Sequence, residues 1–301
     1  MDLAYFFQRL AHLPRRAVRE SLRVFQLVRL SLVNRYGRSR VTQPDGPVLS
    51  LTTFGERSKK AYLAIESIAD GSVLPSRLIM WIDDERLFDN LPATIRRLQK
   101  RGMEVKLSRN LGPHTKYYPY VESTQTFNAP LTIADDDVLY PRYWLKELSE
   151  ANREYPNVVN CYAAHVIPIS EDGFEKYKNW KLCNSTTPCF CHLAMGCTGV
   201  IYPIPFLALL KRAGAAFETC CPKNDDFWLH VQALRAGYKV RQIHPRLPYF
   251  SFQGIPGTQR IALWHDNVEG DGNERQIRAT YTEADVQVLR SECGVGVAVV
   301  S

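Results

Sequence analysis

The hydrophobic positions of residues 48–134 follow two alternating patterns. Short, nearly continuous apolar runs have the length and composition of strands that are buried on both faces of a sheet. These runs occupy residues 48–53, 77–82 and 130–134, and a shorter strand with alternating polar and apolar residues is predicted at 104–107. Between them, residues 61–68 and 91–100 carry apolar side chains every three or four positions, which predicts helices. Strands interleaved with helices predict an α/β fold, with a mostly parallel sheet covered by helices on both faces.

The N-terminal segment has a different pattern, in which apolar residues recur at helical spacing and arginines fill the other face. Residues 1–40 contain nine arginines and no lysine against two acidic residues, so this segment accounts for the whole formal charge of +7. The arginines are Arg9, Arg15, Arg16, Arg19, Arg23, Arg29, Arg35, Arg38 and Arg40. The pattern predicts an amphipathic helix on an anionic membrane, with its apolar face among the acyl chains and its arginines on phosphates.

Two other interpretations of this segment stay open. The helix could pack on the folded domain or on a second subunit of a homo-oligomer, and an arginine-rich arm for nucleic acid is a weaker alternative, so we expect no nucleic-acid partner. No apolar run approaches the ~18 residues that a spanning helix needs, and the arginine density is unlike the apolar part of a signal peptide. We therefore expect a cytoplasmic protein that is peripheral on the inner face of the cytoplasmic membrane.

Polar side chains follow each predicted strand at the point where it ends. They are Thr52, Thr53 and Arg57 after the first strand, Asp83 and Asp84 after the second, residues 108–116 with Lys116 after the third, and Asp135, Asp136 and Asp137 after the fourth. In open α/β sheets ligands bind beyond the carboxyl ends of the strands, so we expect these groups to converge. Three adjacent carboxylates repel one another, and a divalent cation bound through oxygen is a common reason for such a run; a solvated acidic turn is the alternative. An arginine, a lysine and a metal in one crevice suit a diphosphate.

A second acidic pair follows Asn224. The sequence Asn224-Asp225-Asp226 is typical of a helix N-cap and first turn, followed by apolar residues that continue the helix. The helix dipole explains one aspartate at this position. The second aspartate is not needed for the helix dipole, so it is a candidate catalytic residue.

Taken together, these residues resemble bacterial glycosyltransferases of the GT-A fold, which use nucleotide sugars to build O-antigen, lipopolysaccharide and capsular polysaccharide. The matching motifs are Ser-Leu-Thr-Thr-Phe at 50–54, Trp-Ile-Asp at 81–83, residues 112–117, Ala-Asp-Asp-Asp at 134–137 with Tyr140-Pro141, Gly-Val-Ile-Tyr-Pro at 199–203, and Asn-Asp-Asp-Phe-Trp-Leu at 224–229. The resemblance covers roughly residues 48–280. It implies a Rossmann-like GT-A domain at 43–301 after a membrane-associating segment at 1–42. Within that domain, 48–140 would bind the nucleotide, and 141–301 would form the acceptor half and a C-terminal lid.

The resemblance also implies roles for single residues. Asp135 and Asp137 match the DxD positions, whose carboxylates hold Mn²⁺ or Mg²⁺ against the diphosphate. Asp226, with Asp225 beside it, matches the base that takes the proton of an acceptor hydroxyl. The residues that match nucleotide-sugar contacts are Thr52, Thr53, Arg57, Asp83, Lys116, Asp135 and Asp136. Enzymes of this fold often add a C-terminal histidine to the metal ligands. His265 is the predicted ligand, with His244 as a second candidate, although neither lies in a matching pattern.

The resemblance therefore predicts a metal-dependent hexosyltransferase that inverts the configuration of the anomeric carbon. A reaction that retains this configuration is the alternative. Its donor would be a nucleotide sugar, for which we take UDP-galactose. Its acceptor would be a lipid-linked molecule or a polysaccharide. Residues 270–276 would form a loop that closes over the donor. Two alternatives remain: a nucleotidyltransferase, which would use the same crevice and metal without an acceptor-side base, and a non-catalytic module that binds sugar nucleotides or glycans.

Overall fold

The computed structural model describes residues 15–170, 173–248, 252–258 and 271–293, without the side chains of residues 15–19 and 293. The strands are β1 (Val48–Thr52), β2 (Arg77–Ile82), β3 (Glu104–Leu107), β4 (Leu131–Ile133), β5 (Val138–Leu139), β6 (Val159–Cys161), β7 (Ala164–Val166), β8 (Ile169–Ser170), β9 (Gly173–Phe174), β10 (Lys181–Leu182), β11 (His192–Ala194), β12 (Val200–Tyr202), β13 (Val240–Gln242) and β14 (Gln253–Gly254). The helices are α1 (Arg15–Tyr36), α2 (Ala61–Ala69), α3 (Glu85–Asp89), α4 (Ala93–Lys100), α5 (Tyr118–Ser123), α6 (Trp144–Glu154), α7 (Ile204–Ala213), α8 (Phe217–Cys220), α9 (Asp225–Arg235), α10 (Gly272–Thr280) and α11 (Glu283–Cys293). Short 3₁₀ turns cover Gly55–Lys59, Gly112–Lys116, Tyr177–Asn179 and Gly196–Thr198.

A seven-stranded sheet forms the centre of the molecule, in the order β13-β6-β12-β4-β1-β2-β3. Strands β4, β1, β2 and β3 are parallel neighbours, and β13 is parallel to β6. Only β12, of these seven strands, runs antiparallel to its neighbours. The predicted α/β fold with a mostly parallel, Rossmann-like sheet is therefore confirmed.

Alternating side chains of the central strands enter two cores, one on each face of the sheet. In β2, Leu78, Met80 and Ile82 join the core that α2, α4 and α6 cover. Ile79 and Trp81 join the core on the opposite face, which α5, α7 and α9 cover. Because β2 is buried on both faces, it appears in the sequence as a continuous apolar run rather than an alternating one.

Helix α1 packs along one face against α2 and α4. Leu30 is fully buried, and Asn34 donates hydrogen bonds to Glu66 Oε1 at 2.9 Å and to the carbonyl oxygen of Thr94 at 3.1 Å. Arg101, at the end of α4, places its Nη1 2.6 Å from the same oxygen of Glu66 in α2, so Asn34 joins α1 to a buried ion pair of the domain. The structure thus gives α1 the domain contact that one interpretation of the segment predicted. No helix in the described ranges is both long and apolar enough to cross a membrane.

The C-terminal segment differs from the predicted loop. From Gly272 onward it forms α10, whose Ile277 is buried against α9. Gln276 Oε1 accepts a hydrogen bond from the backbone N–H of Lys223 at 2.8 Å, and Asn224 Nδ2 donates to Asn273 Oδ1 at 3.1 Å. Residues 272–276 are therefore docked at the start of α9, and Gly270 lies outside the described residues.

Candidate active site

The end of β4 delivers three adjacent aspartates to the edge of the sheet, and Arg57 meets two of them. Arg57 Nη2 lies 2.5 Å from Asp136 Oδ1 and 2.6 Å from Asp137 Oδ2. Thr53, which directly follows β1, donates a hydrogen bond to Asp136 Oδ2 at 2.5 Å. Because β1 and β4 are parallel neighbours, their carboxyl ends meet here, as the strand pattern predicted.

Lys116 meets the remaining aspartate from the other side. Its side chain is only 9% exposed, and its Nζ lies 2.8 Å from Asp135 Oδ1 and 3.3 Å from Asp225 Oδ2. His114, two residues earlier, fixes the turn that carries Lys116, because its Nε2 lies 2.7 Å from the carbonyl oxygen of Cys221. Lys116 therefore links the tip of β4 to the start of α9.

The start of α9 supplies two more carboxylates. Asn224 caps the helix, since its Oδ1 accepts the backbone N–H of Phe227 at 3.1 Å. Asp225 is buried and Asp226 Oδ1 accepts the backbone N–H of Gly196 at 3.0 Å. The cap confirms the predicted helix start, and both aspartates lie inside the site rather than only at a solvated helix end.

Tyr140 positions the first aspartate, a role that sequence reasoning missed. Its hydroxyl accepts the backbone N–H of Asp135 at 2.8 Å and donates to the carbonyl oxygen of Cys197 at 3.1 Å. The residue is buried against Trp144, with ring centroids 4.3 Å apart. The sequence contained this residue in the Tyr-Pro motif but gave no signal of the hydrogen bond.

Gly196 allows two charged groups to approach the backbone closely. A Cβ atom at this position would lie 3.0 Å from Asp226 Oδ1 and 3.4 Å from Lys116 Nζ. The glycine therefore leaves room for both groups. The requirement for a glycine at this position could not be predicted from the sequence, because Gly196 and Lys116 are 80 residues apart.

We call the following set the aspartate cluster: Asp135, Asp136, Asp137, Asp225 and Asp226, with Arg57 and Lys116. Its five carboxylates outnumber its two cations. Burial raises the pKa of Asp136 to about 6, against the opposing effect of the Arg57 charge. Burial and the neighbouring charge of Asp225 raise the pKa of Asp226 to about 8. The cluster therefore holds part of its acid groups in the protonated form at neutral pH.

Asp135 differs from Asp136 and Asp226, because its pKa is lowered rather than raised. Burial alone would raise its pKa, but the charge and hydrogen bond of Lys116 outweigh burial, so the pKa of Asp135 is lowered. For Asp137, burial and the charge of Asp135 together raise the pKa in spite of Arg57. The two predicted metal ligands thus differ: Asp135 is held as a carboxylate, whereas Asp137 is more easily protonated.

The donor chemistry of the cluster suits a hard cation only together with further oxygen ligands. In the described ranges, no three His, Cys, Asp or Glu side chains converge on one point as metal ligands. Asp135 and Asp137 instead face Lys116 and Arg57. However, Mg²⁺ is commonly bound by one or two carboxylates together with substrate phosphates, and the buried Asp225 Oδ2 lies 3.3 Å from Lys116 Nζ, next to the contact of Lys116 with Asp135. Mn²⁺ or Mg²⁺ at Asp135 and Asp137 stays a prediction.

Three other polar groups at the strand ends are not joined to the cluster by any hydrogen bond or ion pair seen in the described residues. Thr52 Oγ1 donates to the carbonyl oxygen of Trp81 at 3.2 Å, so it ties β1 to β2. Asp84 caps α3 by accepting the N–H of Leu87 at 3.0 Å. Asp83 directly follows β2, and burial raises its pKa. Contacts of Thr52 and Asp83 with a nucleotide sugar stay a prediction.

Of the two histidine candidates, the structure describes His244 alone. His244 Nε2 is 2.8 Å from Glu147 Oε2, an interaction that gives the imidazole a carboxylate partner outside the aspartate cluster. His265 lies outside the described residues. His244 is therefore not among the residues around the aspartate cluster, and His265 as a metal ligand stays a prediction.

Comparisons with known proteins find only structural likeness. No family model matches the chain, and no curated protein matches it. A CMP:2-keto-3-deoxy-manno-octonic acid synthetase complexed with CTP is 11% identical, with a TM-score of 0.41 over 65% of this chain and 88% of that chain. A 4-diphosphocytidyl-2C-methyl-D-erythritol synthase from Anaerococcus prevotii is 13% identical, with a TM-score of 0.44 over 71% of this chain and 95% of that chain.

These comparisons correct the predicted activity. Both neighbours are nucleotidyltransferases, so the prediction of a metal-dependent glycosyltransferase that uses a UDP-linked sugar is contradicted. The alternative class, which transfers a nucleotidyl group in the same kind of crevice, agrees with them better. The resemblance to enzymes of O-antigen and capsule synthesis is not tested by these structures.

Proposed function

We propose that the protein is a nucleotidyltransferase, which transfers a nucleoside monophosphate from a nucleoside triphosphate to an anionic acceptor and releases pyrophosphate. The observation that carries the proposal is the pair of buried cations, Arg57 and Lys116, at the carboxyl edge of the sheet. Their side chains are 12% and 9% exposed, and aspartates of the cluster are their ion-pair partners. Buried cations at this edge match the charge of a polyphosphate.

The binding capacity of the two cations is not used up by the aspartates. Arg57 Nε is buried and has no hydrogen-bond partner, although Nη2 contacts both Asp136 and Asp137. Lys116 Nζ has three donors and lies near two carboxylates. Phosphate oxygens can therefore bind these donors without the loss of every existing contact.

The protonation state of Asp226 favours an acceptor group that is already ionised. Its Oδ1 is engaged by the N–H of Gly196, and its pKa of about 8 keeps it largely protonated at neutral pH. A protonated carboxyl cannot take a proton from a hydroxyl. A phosphate oxygen needs no such base, so a sugar phosphate or another phosphate monoester is the acceptor class that suits this site. A nucleotide-linked compound is then the product rather than the donor.

In the proposed reaction an acceptor oxygen attacks the α-phosphorus as the bond to the pyrophosphate oxygen breaks. Negative charge accumulates on the leaving pyrophosphate, where Lys116 and Arg57 stabilise it. Asp135 holds Lys116 in place through the 2.8 Å contact. A divalent cation bound by Asp135 and Asp137 would supply Lewis-acid stabilisation of the same phosphates.

Pyrophosphate release tests the proposal. The purified protein would be titrated with CTP, UTP, ATP and GTP in the presence of Mg²⁺, and release would be measured with a panel of sugar phosphates. We expect Lys116→Gln to lower the rate about 10²- to 10³-fold, as removal of one stabilising donor does. Lys59→Gln is the control, because Lys59 is 66% exposed and pairs with Glu56.

Each contrary result has a definite meaning. Nucleotide binding without pyrophosphate release, across the acceptor panel, would favour the non-catalytic module. Absence of nucleotide binding would overturn the nucleotide assignment itself. Equal rates for Lys116→Gln and the native protein would remove Lys116 from the mechanism.

We also propose that residues 1–40 attach the protein to an anionic membrane, where a lipid-linked acceptor would be at hand. The support is the arginine content of the segment and the apolar side chains that α1 exposes, among them Phe25 at 68% and Leu22 at 60%. Arginines contribute about 1 kcal/mol each near an anionic leaflet.

A further inference from the structure

The outer face of α1 carries a continuous apolar stripe. Its members recur every three or four positions, and each residue is more than half exposed. They are Leu22, Phe25, Val28, Leu32 and Tyr36. We call this set the outer stripe. The inner face, with Leu30, is buried against the domain, so α1 has two separate apolar faces.

A groove of about 410 Å³ runs beside the outer stripe, between α1 and helices α2 and α4. Two residues of the stripe, Val28 and Leu32, also line the groove, with Leu27 and Tyr62 completing its apolar wall. Pockets of about 300–1,000 Å³ hold ligands of drug size. The groove is therefore large enough for part of a lipid and opens beside the apolar surface that would meet a bilayer.

Polar groups of the groove have unused hydrogen-bonding capacity. Arg35 and Arg97 line it together with Thr94, whose Oγ1 is buried without a hydrogen-bond partner. Arg97 donates its Nε to Asn34 Oδ1 at 3.0 Å, which fixes the side chain at the groove. No ion pair of Arg35 or Arg97 with a carboxylate is seen in the described residues. Two guanidinium groups beside an apolar wall are complementary to an amphiphile with an anionic head.

We propose that this groove binds one anionic phospholipid, with an acyl chain along Val28, Leu32 and Tyr62 and the phosphate between Arg35 and Arg97. The inference rests on the proposed membrane attachment but adds a specific lipid site to it. Insertion of the outer stripe would bring the groove to the level of the lipid head groups. The site would make the attachment selective for anionic lipid.

Two kinds of lipid probe separate attachment from the groove. The full-length protein would be sedimented with phosphatidylcholine vesicles with and without phosphatidylglycerol. It would also be titrated calorimetrically with monomeric dihexanoyl-phosphatidylglycerol, with dihexanoyl-phosphatidylcholine as the neutral probe and glycerol phosphate as the head group alone. We expect the anionic vesicles and the monomeric anionic lipid to bind, and the two control probes to bind much more weakly.

Variants assign each kind of binding to its surface. Arg35→Gln should weaken the binding of monomeric lipid about tenfold, as the loss of a charge-assisted hydrogen bond does, whereas Arg86→Gln on α3 should not. Ser31→Phe, which fills the groove, should abolish that binding. Phe25→Gln should lower vesicle binding but leave monomeric lipid bound, with Leu182→Gln as the control because Leu182 is 61% exposed elsewhere.

Several results would overturn the lipid site. Equal lipid binding by Ser31→Phe and the native protein would place the lipid elsewhere. Vesicle binding without binding of the monomeric lipid would leave the attachment standing and remove the groove, whereas failure of both would remove both. Binding only after deletion of residues 1–14 would show that the chain itself covers the groove. A concentration-dependent dimer that Phe25→Gln abolishes, without vesicle binding, would assign the stripe to a second copy.

Discussion

The aspartate cluster and the outer face of α1 are opposite in chemical character. The cluster gathers seven ionisable side chains at the carboxyl edge of the sheet, four of them buried, whereas the described part of α1 exposes six large apolar residues to solvent, the outer stripe and Val24. Buried charge and exposed apolar surface are each unfavourable for an isolated folded chain. Both become favourable when a ligand or a surface of matching chemistry is added. The comparison therefore indicates a polar ligand for the first region and an apolar, anionic one for the second.

A buried ion pair of purely structural function, which contacts α1 through Asn34, contrasts with both regions, and breaking it should have the largest effect. Glu66 is fully buried, and Arg101 is the only cation within ion-pair distance of it in the described residues. In Arg101→Met the carboxylate would lose its counter-charge, so we expect a loss of about 3–5 kcal/mol in the free energy of unfolding, measured in urea. Arg142→Met is the control, because Arg142 is 75% exposed and its change should cost less than about 1 kcal/mol. A similar small loss for Arg101→Met would contradict the stabilising role of this buried pair.

A substitution that keeps the charge sharpens the view of the cluster as a phosphate site. Arg57 contacts two carboxylates through one guanidinium and retains a free Nε. Arg57→Lys keeps the charge but loses the planar set of donors, so nucleotide binding should weaken about tenfold, with a fall in Tm on the order of 2–4 °C. Arg77→Lys makes the same change at the remote pair with Glu104 and should leave nucleotide binding unaltered. Unchanged binding in Arg57→Lys would mean that only the charge of this residue matters.

The sequence predicted the central strands and the meeting of their polar ends. Both follow from local features: the length and composition of the apolar runs, and the rule that parallel neighbours end at one edge. The pairing of Lys116 with Asp225 could not be predicted, because 109 residues separate them and only the packing of α9 on the sheet brings them together. The role of Gly196 was missed for the same reason. That of Tyr140 was missed because the buried position of its ring, which brings its hydroxyl to Asp135 and to Cys197, is set by tertiary packing.

The two faces of α1 show a second limit of sequence reasoning. Leu30 and Phe25 have the same helical spacing and similar hydrophobicity, yet one is fully buried and the other 68% exposed. Hydrophobic periodicity shows that a helix is amphipathic, but it does not identify which apolar residues the domain covers. That distinction depends on tertiary contacts of α1 such as the bond from Asn34 to Glu66.

The pH dependence of stability offers a smaller test of the cluster. The pKa of Asp226 is raised from 3.8 to about 8 in the folded protein. Since the folded state binds this proton more tightly than the unfolded state, its stabilising contribution is complete below pH ~4 and declines as the pH rises toward 8. Asp226→Asn removes this decline and can still accept the N–H of Gly196, so we expect a Tm higher by on the order of 2–4 °C at pH 8 and no gain at pH 4. A variant that is less stable at pH 8 would show that the ionised carboxylate is favourable there.

The smallest expected effect concerns the outer stripe, and it is informative because it is small. Phe25 is 68% exposed, so Phe25→Gln should change the free energy of unfolding by no more than about 0.5 kcal/mol. Leu30→Ala, on the buried face of the same helix, should cost about 2–5 kcal/mol, because it leaves a cavity. Urea unfolding of both variants without lipid measures the contrast. A large loss for Phe25→Gln would mean that the chain already covers the stripe, whereas a negligible loss leaves a large apolar side chain that does not stabilise the fold. An exposed side chain of that kind is explained by an external surface that binds it.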